Sequence, residues 1–238
     1  MKLEYLCNAI NKFAKIVGVQ GKPGASQPAT TNKPAPPAST TQGDVEYRDR
    51  FHGAQGEERQ RLIQEEAAKK GFTLIPDKIT PVSEAEVVLT VKKLVDQKFP
   101  QMDDGDKQEF VFTIVPQIKL ECGYRPHNYN LANQHAYPPW KGKVSTWQDP
   151  QIENGKKIVN VDWFWKSYSS LEEGAVDWLN LLEKHFPAAF AAAQRGDVET
   201  FSKELRNKGY YTADVKTYTK GLKNIKEKMK NKYWRDAH

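Results

Sequence analysis

Hydrophobic positions recur at steps of three and four through most of this chain, and the stretches they mark read as helices. Leu3, Leu6, Ile10, Phe13 and Val17 share one side of a short amphipathic helix over residues 2–17. The pattern then lapses. Residues 20–43 are rich in Pro, Ala, Ser and Thr and hold almost no large apolar side chain. They cannot bury enough surface to offset chain entropy, so a flexible linker is expected. From residue 44 the periodicity returns. "GEERQRLIQEEAAKK" reads as an exposed helix stopped by Gly71. "SEAEVVLTVKKLVDQKF" opens with a capping box, Ser83 with Glu86, and buries Val87, Val88, Val91, Leu94 and Val95. Asp106 with Glu109 repeats that signal ahead of "FVFTIVPQIKLEC", which Gly123 ends and Pro116 is expected to kink.

Between residues 140 and 168 the pattern changes. Gly142, Gly155 and the β-branched and aromatic run "KKIVNVDWFWKSY" predict a small hairpin or sheet. Helices then resume. Ser170 with Glu173 opens one, Pro187 suits the first turn of an Ala-rich one, and Asp197 opens "VETFSKELRNK", which Gly209 closes. The last, from Val215 to Trp234, turns Tyr218, Leu222, Ile225, Met229 and Tyr233 to one side. The predicted organisation is an N-terminal docking segment (1–19), a linker (20–43) and one mainly α, α+β domain (44–238).

Composition narrows the function classes. Cys7 and Cys122 are too few and too far apart for a disulfide framework. No apolar run of about 18 residues occurs, so no membrane span is expected, and the N-terminus lacks the apolar core of a signal peptide. The net charge of +6 favours polyanionic surroundings (nucleic acid, anionic lipid or an anionic cell wall) without choosing among them. Nucleic acid has no recognised binding motif in its favour. Six Trp, ten Tyr and ten Phe suit either an ordinary core or a groove for ring-shaped ligands. Cys122, His127 and His135 match no standard zinc spacing, and HExxH, GxSxG, Walker A and GxGxxG motifs are missing. No metal and no cofactor are expected.

The candidate chemistry centres on "VPQIKLECGYRPHNYNLANQHA". Val111, Ile114, Ile118 and Glu121 are spaced three, four and three, so the carboxyl falls on an apolar stripe. Burial there would raise its pKa and let it hold a proton near neutral pH. A helix-end glutamate reaching solvent past Gly123 is the alternative. Tyr124, Asn128, Tyr129, Asn130 and Asn133 follow in a polar loop.

Three blocks, "LECGYRPHNYNLANQHA", "WKGKVSTWQDPQIENGKKIVNVDWFWKSYSSLEEG" and "GDVETFSKELRNKGYYTAD", together resemble the glucosaminidase family of peptidoglycan hydrolases over roughly residues 84–222. The resemblance implies a lysozyme-like domain with a small β-hairpin lobe over a sugar cleft. It implies Glu121 as general acid and Tyr129, Asn130, Trp140, Tyr168 and Tyr210 as substrate-binding residues, with the Tyr210 ring near the acid. The family's second hairpin carboxylate falls at Gln151, which can be neither base nor nucleophile, so Asp149 or Glu153 is nominated in its place. The implied activity is that of a β-N-acetylglucosaminidase-like glycoside hydrolase acting on peptidoglycan glycan strands. A lytic transglycosylase, a muramidase and a non-catalytic wall-binding or structural virion protein are the competing readings. Residues 2–17 suggest an assembly partner, and a phage virion or the bacterial wall as the place of action. The Lys-rich last helix, with Lys220, Lys223, Lys226, Lys228, Lys230, Lys232 and Arg235, reads as a solvated face or a track for an anionic wall.

Overall fold

The computed structural model describes residues 45–49, 51, 53–153, 156–211 and 213–233. The predicted docking helix and linker, and Trp234 and Arg235, lie outside them. The described chain is mainly helical with one small sheet: β1 (Val45–Asp49), α1 (Gly56–Lys70), β2 (Thr73–Leu74), α2 (Glu84–Lys98), α3 (Asp104–Cys122), β3 (Lys143–Glu153), β4 (Lys156–Lys166), α4 (Leu171–His185), α5 (Pro187–Gln194), α6 (Val198–Asn207) and α7 (Val215–Tyr233).

Local chemistry sets these bounds. Ser83 and Glu86 form the reciprocal capping box expected of them, and Gly71 ends α1 in the left-handed region at φ 71°. The start of α3 differs from expectation. Its cap is Asp103, whose carboxylate accepts from Gly105 N, so Asp106 lies inside the first turn and Glu109 is free for a tertiary role. Pro116 sits within this helix, which runs on as one element to Cys122 and is closed by Gly123 at φ 59°.

Hydrophobic burial divides into two cores. In the larger, α3 is the centre: every residue from Phe110 to Ile118 is buried, enclosed by α2, α4, α5, α6 and α7. The smaller core lies between α1 and the sheet, where Ile63, Ala67 and Phe72 meet Ala136, Val144 and Phe164. The sheet order is β1-β4-β3-β2, with an antiparallel β3–β4 hairpin and a parallel strand added on each edge.

Between the two cores runs the 124–136 loop, held by polar groups. Thr80 Oγ donates to Pro126 O and accepts from Tyr129 N, and Asn128 N donates to Lys78 O. Tyr124, Asn128, Tyr129 and Asn133 all take positive φ, a costly conformation outside glycine that persists where surrounding contacts over-determine it.

The loop also presses on α4. A Cβ added at Gly174 would stand 2.1 Å from Tyr129 O. In an open helix Gly→Ala gains about 1 kcal/mol, whereas forced overpacking costs about 1–3 kcal/mol. Gly174→Ala is therefore expected to lower unfolding free energy by up to about 2 kcal/mol in denaturant titration. A more stable variant would show that the loop gives way freely.

Candidate active site

Glu121 stands in the last turn of α3 with its side chain turned into the core, only 3 % exposed. The carboxyl does not escape past Gly123. Tyr218 of α7 donates its hydroxyl to Glu121 Oε1 at 3.2 Å, and the second carboxyl oxygen has no hydrogen bond among the described residues. Burial pushes the carboxyl pKa from an ordinary 4.5 up to about 8, against the smaller, opposite pull of the Tyr218 bond. The acid is therefore neutral at neutral pH. Asn133 Nδ2 donates to the Glu121 carbonyl at 3.2 Å and ties the loop to this turn.

Tyr218 is itself fixed. Tyr211 stacks on it at 3.7 Å between centroids and 14° between planes. The Tyr211 hydroxyl bonds to Ser202 Oγ at 2.8 Å and to Ser202 O at 3.0 Å. Thr219 Oγ closes the set on Ser202 Oγ at 2.8 Å. Burial, followed by the neighbouring Glu121, pushes the Tyr218 phenol far above its usual range.

The acid is the inner end of a polar row on α3: Glu109, Thr113, Gln117 and Glu121, each four residues from the next. At the outer end Glu109 pairs with Lys226 at 2.7 Å and Lys230 at 2.5 Å. Lys226 also donates to Thr113 Oγ and Gly196 O, both at 3.0 Å. Burial works to raise the Glu109 pKa, but the two ammonium groups outweigh it and hold it below the usual range. Lys226 is thus a buried partner in this seam and no part of a solvated basic face.

The other nominated residues do not gather round Glu121. Tyr210 is buried, its ring edge-on to Phe186 at 5.1 Å, and the tyrosine on the carboxyl is Tyr218. Asn130 is wholly buried and spent on the backbone: Nδ2 donates to Gln134 O and Lys166 O, and Oδ1 accepts from Gln134 N. It holds the loop and has no free amide hydrogen for a sugar. Tyr129 is half-buried in that loop. Trp140 and Tyr168 meet edge-on at 6.0 Å and line an open pocket of about 560 Å³ with Ser170, Glu173, Asp177 and Asn180. Asp177 receives the Tyr168 hydroxyl at 2.7 Å and Lys166 Nζ at 2.9 Å, while Lys166 Nζ lies 4.7 Å over the Trp140 ring. Burial and then the Asp177 charge raise the Tyr168 phenol.

Asp149, Gln151 and Glu153 lie on the outer half of β3, opposite Asn160, Ile158 and Lys156 of β4. Asn154 and Gly155 of the turn, and Thr212, are outside the described residues. Cys122, His127 and His135 are occupied separately. The thiol donates to Ile118 O at 3.3 Å, and His127 Nδ1 pairs with Asp77 at 2.8 Å. The buried His135 ring stacks on Trp165 at 3.8 Å, and burial drops its pKa to about 3.

Over 126 residues the chain is 26 % identical to the peptidoglycan hydrolase FlgJ of Vibrio parahaemolyticus serotype O3:K6 (strain RIMD 2210633), a match that covers 50 % of this chain and 40 % of that protein. The chain is similar to peptidoglycan hydrolases. It spans less than half of that relative. A peptidoglycan hydrolase mutant from Sphingomonas sp. A1 superposes with a TM-score of 0.45 at 24 % identity, covering 60 % of this chain and 92 % of that one. The glycoside hydrolase domain of Salmonella typhimurium FlgJ gives 0.44 at 19 % identity, covering 66 % and 94 %. No protein-family model matches.

Periodicity assigned Tyr218 and Lys226 no part in a site. Tyr218 falls on an apolar stripe and Lys226 in a lysine-rich run, so only the pairing of α3 with α7 reveals them.

The raised acid has a stability consequence. Below about pH 4.5 the carboxyl is neutral folded and unfolded, and contributes nothing. From there to about pH 8 the unfolded chain ionises while the fold keeps the proton, so stability falls with rising pH by up to ~1.4 kcal/mol per unit. Glu121→Gln removes this loss. Its melting temperature relative to wild type is expected to rise steadily between pH 5 and 8, and a constant difference would mean an ordinary carboxylate.

Proposed function

We propose that the protein cleaves the β-1,4-linked glycan strand of peptidoglycan, with Glu121 as general acid. The observation that carries this reading is a carboxyl kept neutral by burial, with one oxygen fixed by Tyr218 and the other unbonded. Breaking a glycosidic bond requires a proton on the leaving oxygen, and an acid still protonated near neutral pH supplies it. Similarity to a peptidoglycan hydrolase supports the substrate class. Tyr218 would set the direction of the carboxyl. Trp140 and Tyr168, with the Lys166–Asp177 pair, offer an aromatic and hydrogen-bonding wall for amino-sugar rings, and Tyr129 stands in the loop that follows the acid's helix. Asp149 and Glu153 on the hairpin are the candidates for a second carboxylate. Without them the substrate's own acetamido group would complete the reaction.

The enclosure of Glu121 favours one competing reading, a wall-binding protein without catalysis. Mass spectrometry of purified peptidoglycan digested by wild type and Glu121→Gln separates the cases. The expected result is reducing-end N-acetylglucosamine from wild type and a loss of about 10²–10⁴-fold in the variant. Reducing-end N-acetylmuramic acid would make the enzyme a muramidase, and anhydro ends a lytic transglycosylase. Absence of products from wild type would refute cleavage and favour the binding protein.

For delivery, the amphipathic pattern at residues 2–17 on its Pro/Ala-rich tether supports attachment to a larger assembly such as a phage particle. Deletion of residues 1–43 is expected to leave wall digestion intact. Loss of digestion in that deletion would refute a purely docking role.

A further inference from the structure

One turn before Glu121, on the same face of α3, Gln117 is fully buried, and neither its side-chain oxygen nor its nitrogen has a hydrogen-bond partner. Native interiors seldom hold such a group, because an orphaned amide loses its water and gains nothing in exchange. Its neighbours in the row are served: Thr113 receives Lys226 Nζ at 3.0 Å, and Glu121 receives the Tyr218 hydroxyl at 3.2 Å. Side chains four apart on a helix stand about 5–6 Å apart at Cβ, so the Gln117 amide can reach the Glu121 carboxyl by rotation about its own side-chain bonds.

The titratable side chains near that carboxyl are few. Tyr218 comes from α7, with Tyr211 stacked on it and Tyr210 close enough to act on its charge. Lys226 and Lys230 both pair with Glu109 beyond Thr113. On α3 itself the Cys122 thiol bonds to Ile118 O. The buried residues of α2 and α5 are all apolar. An ionised Glu121 would therefore meet no cation, and its second oxygen would carry charge with no hydrogen-bond donor from these elements.

We propose that Gln117 is a positioning residue for Glu121: its amide is unbonded while the carboxyl keeps its proton, and donates to the free carboxylate oxygen once the proton has left. The proposal rests on Glu121 being the general acid. The proton passes to the leaving glycosidic oxygen as its bond to the anomeric carbon breaks, and the water that completes hydrolysis returns one. Gln117 exchanges no proton and supplies only a hydrogen bond. A hydrogen bond that is stronger to the carboxylate than to the neutral carboxyl strengthens as charge develops, which lowers the barrier without tightening substrate binding. The unpaired amide of the resting protein and the stabilised carboxylate of the reacting one are two ends of the same device.

The test compares full-length wild type, Gln117→Met, whose side chain is close in volume but apolar, and Glu121→Gln. Gln117→Met is expected to melt above wild type, because the orphan is gone. Its kcat is expected to fall about tenfold with KM unchanged, and the alkaline limb of its kcat profile to move up by about one pH unit as the carboxylate loses a donor. A readout independent of turnover is the carboxyl ¹³C titration of labelled glutamate, with Glu121 assigned by its disappearance in Glu121→Gln. The Glu121 titration is expected to move up in Gln117→Met. If that titration and kcat match wild type while Glu121→Gln is inactive, the Gln117 role is overturned and the general acid stands. If Gln117→Met loses activity and melting temperature together with an unmoved titration, its part is structural and the proposal also falls. A fully active Glu121→Gln would remove the general acid and this role with it.

Discussion

A helix enclosed on nearly every side can keep polar groups only where a neighbour brings partners to them, and α3 keeps a row of them along its contact with α7. What α7 offers changes along that row. At the outer end it presents Lys226 and Lys230, and Glu109 is held ionised below the usual carboxylate range. At the inner end it presents only the Tyr218 hydroxyl, and burial leaves Glu121 neutral. Two glutamates on one face of one helix thus occupy opposite charge states, because one meets cations and the other meets an apolar surround. The remaining helices close that surround. Their packing is what gives the acid its proton.

The link between the two cores has a different chemistry. Where the helical core and the sheet core meet, the chain runs through a loop whose buried polar side chains include Asn128, Asn130 and Gln134, joined to buried Thr80 and Ser167. Their hydrogen bonds go largely to backbone, so they fix loop shape more than they fill space. Apolar side chains would be indifferent to small rotations here, whereas directional bonds hold four residues at positive φ. The carbonyl of Tyr129 resting on Gly174 shows how close this loop lies to α4.

Periodicity revealed the framework because frameworks are periodic. The stripe on α2, the capping box at Ser83, the hairpin and the apolar side of α7 were all legible. So was the placement of Glu121 on an apolar stripe, the feature from which its raised pKa follows. Features that depend on two distant segments were not. Glu109 resembles a cap partner until Asp103 takes the cap, and Lys226 resembles any other lysine of its run. Asn130 carries a polar side chain in a ligand-like motif, yet its bonds are all internal. The choice between Tyr210 and Tyr218 beside the acid is a matter of which helix crosses α3, and no local spacing encodes that. β1 and β2 are too short to leave a periodic trace, and their pairings are long-range.

Those two short strands shape the order in which the protein can assemble. β1 lies along β4, Val45 opposite Lys157, and β2 lies along the start of β3, with α1 between them packed beneath the hairpin. The segment from residue 45 to 74 therefore has no partner of its own until the hairpin far downstream exists. During synthesis it must wait, unpaired, while α2 and α3 are made, and local helices and the hairpin itself can form before it docks. Closing so long a loop costs entropy that only a finished hairpin can offset. The first described residues of this chain are thus among the last to find their place, and a nascent chain halted before residue 157 would expose the β1 ladder and the apolar side of α1 together.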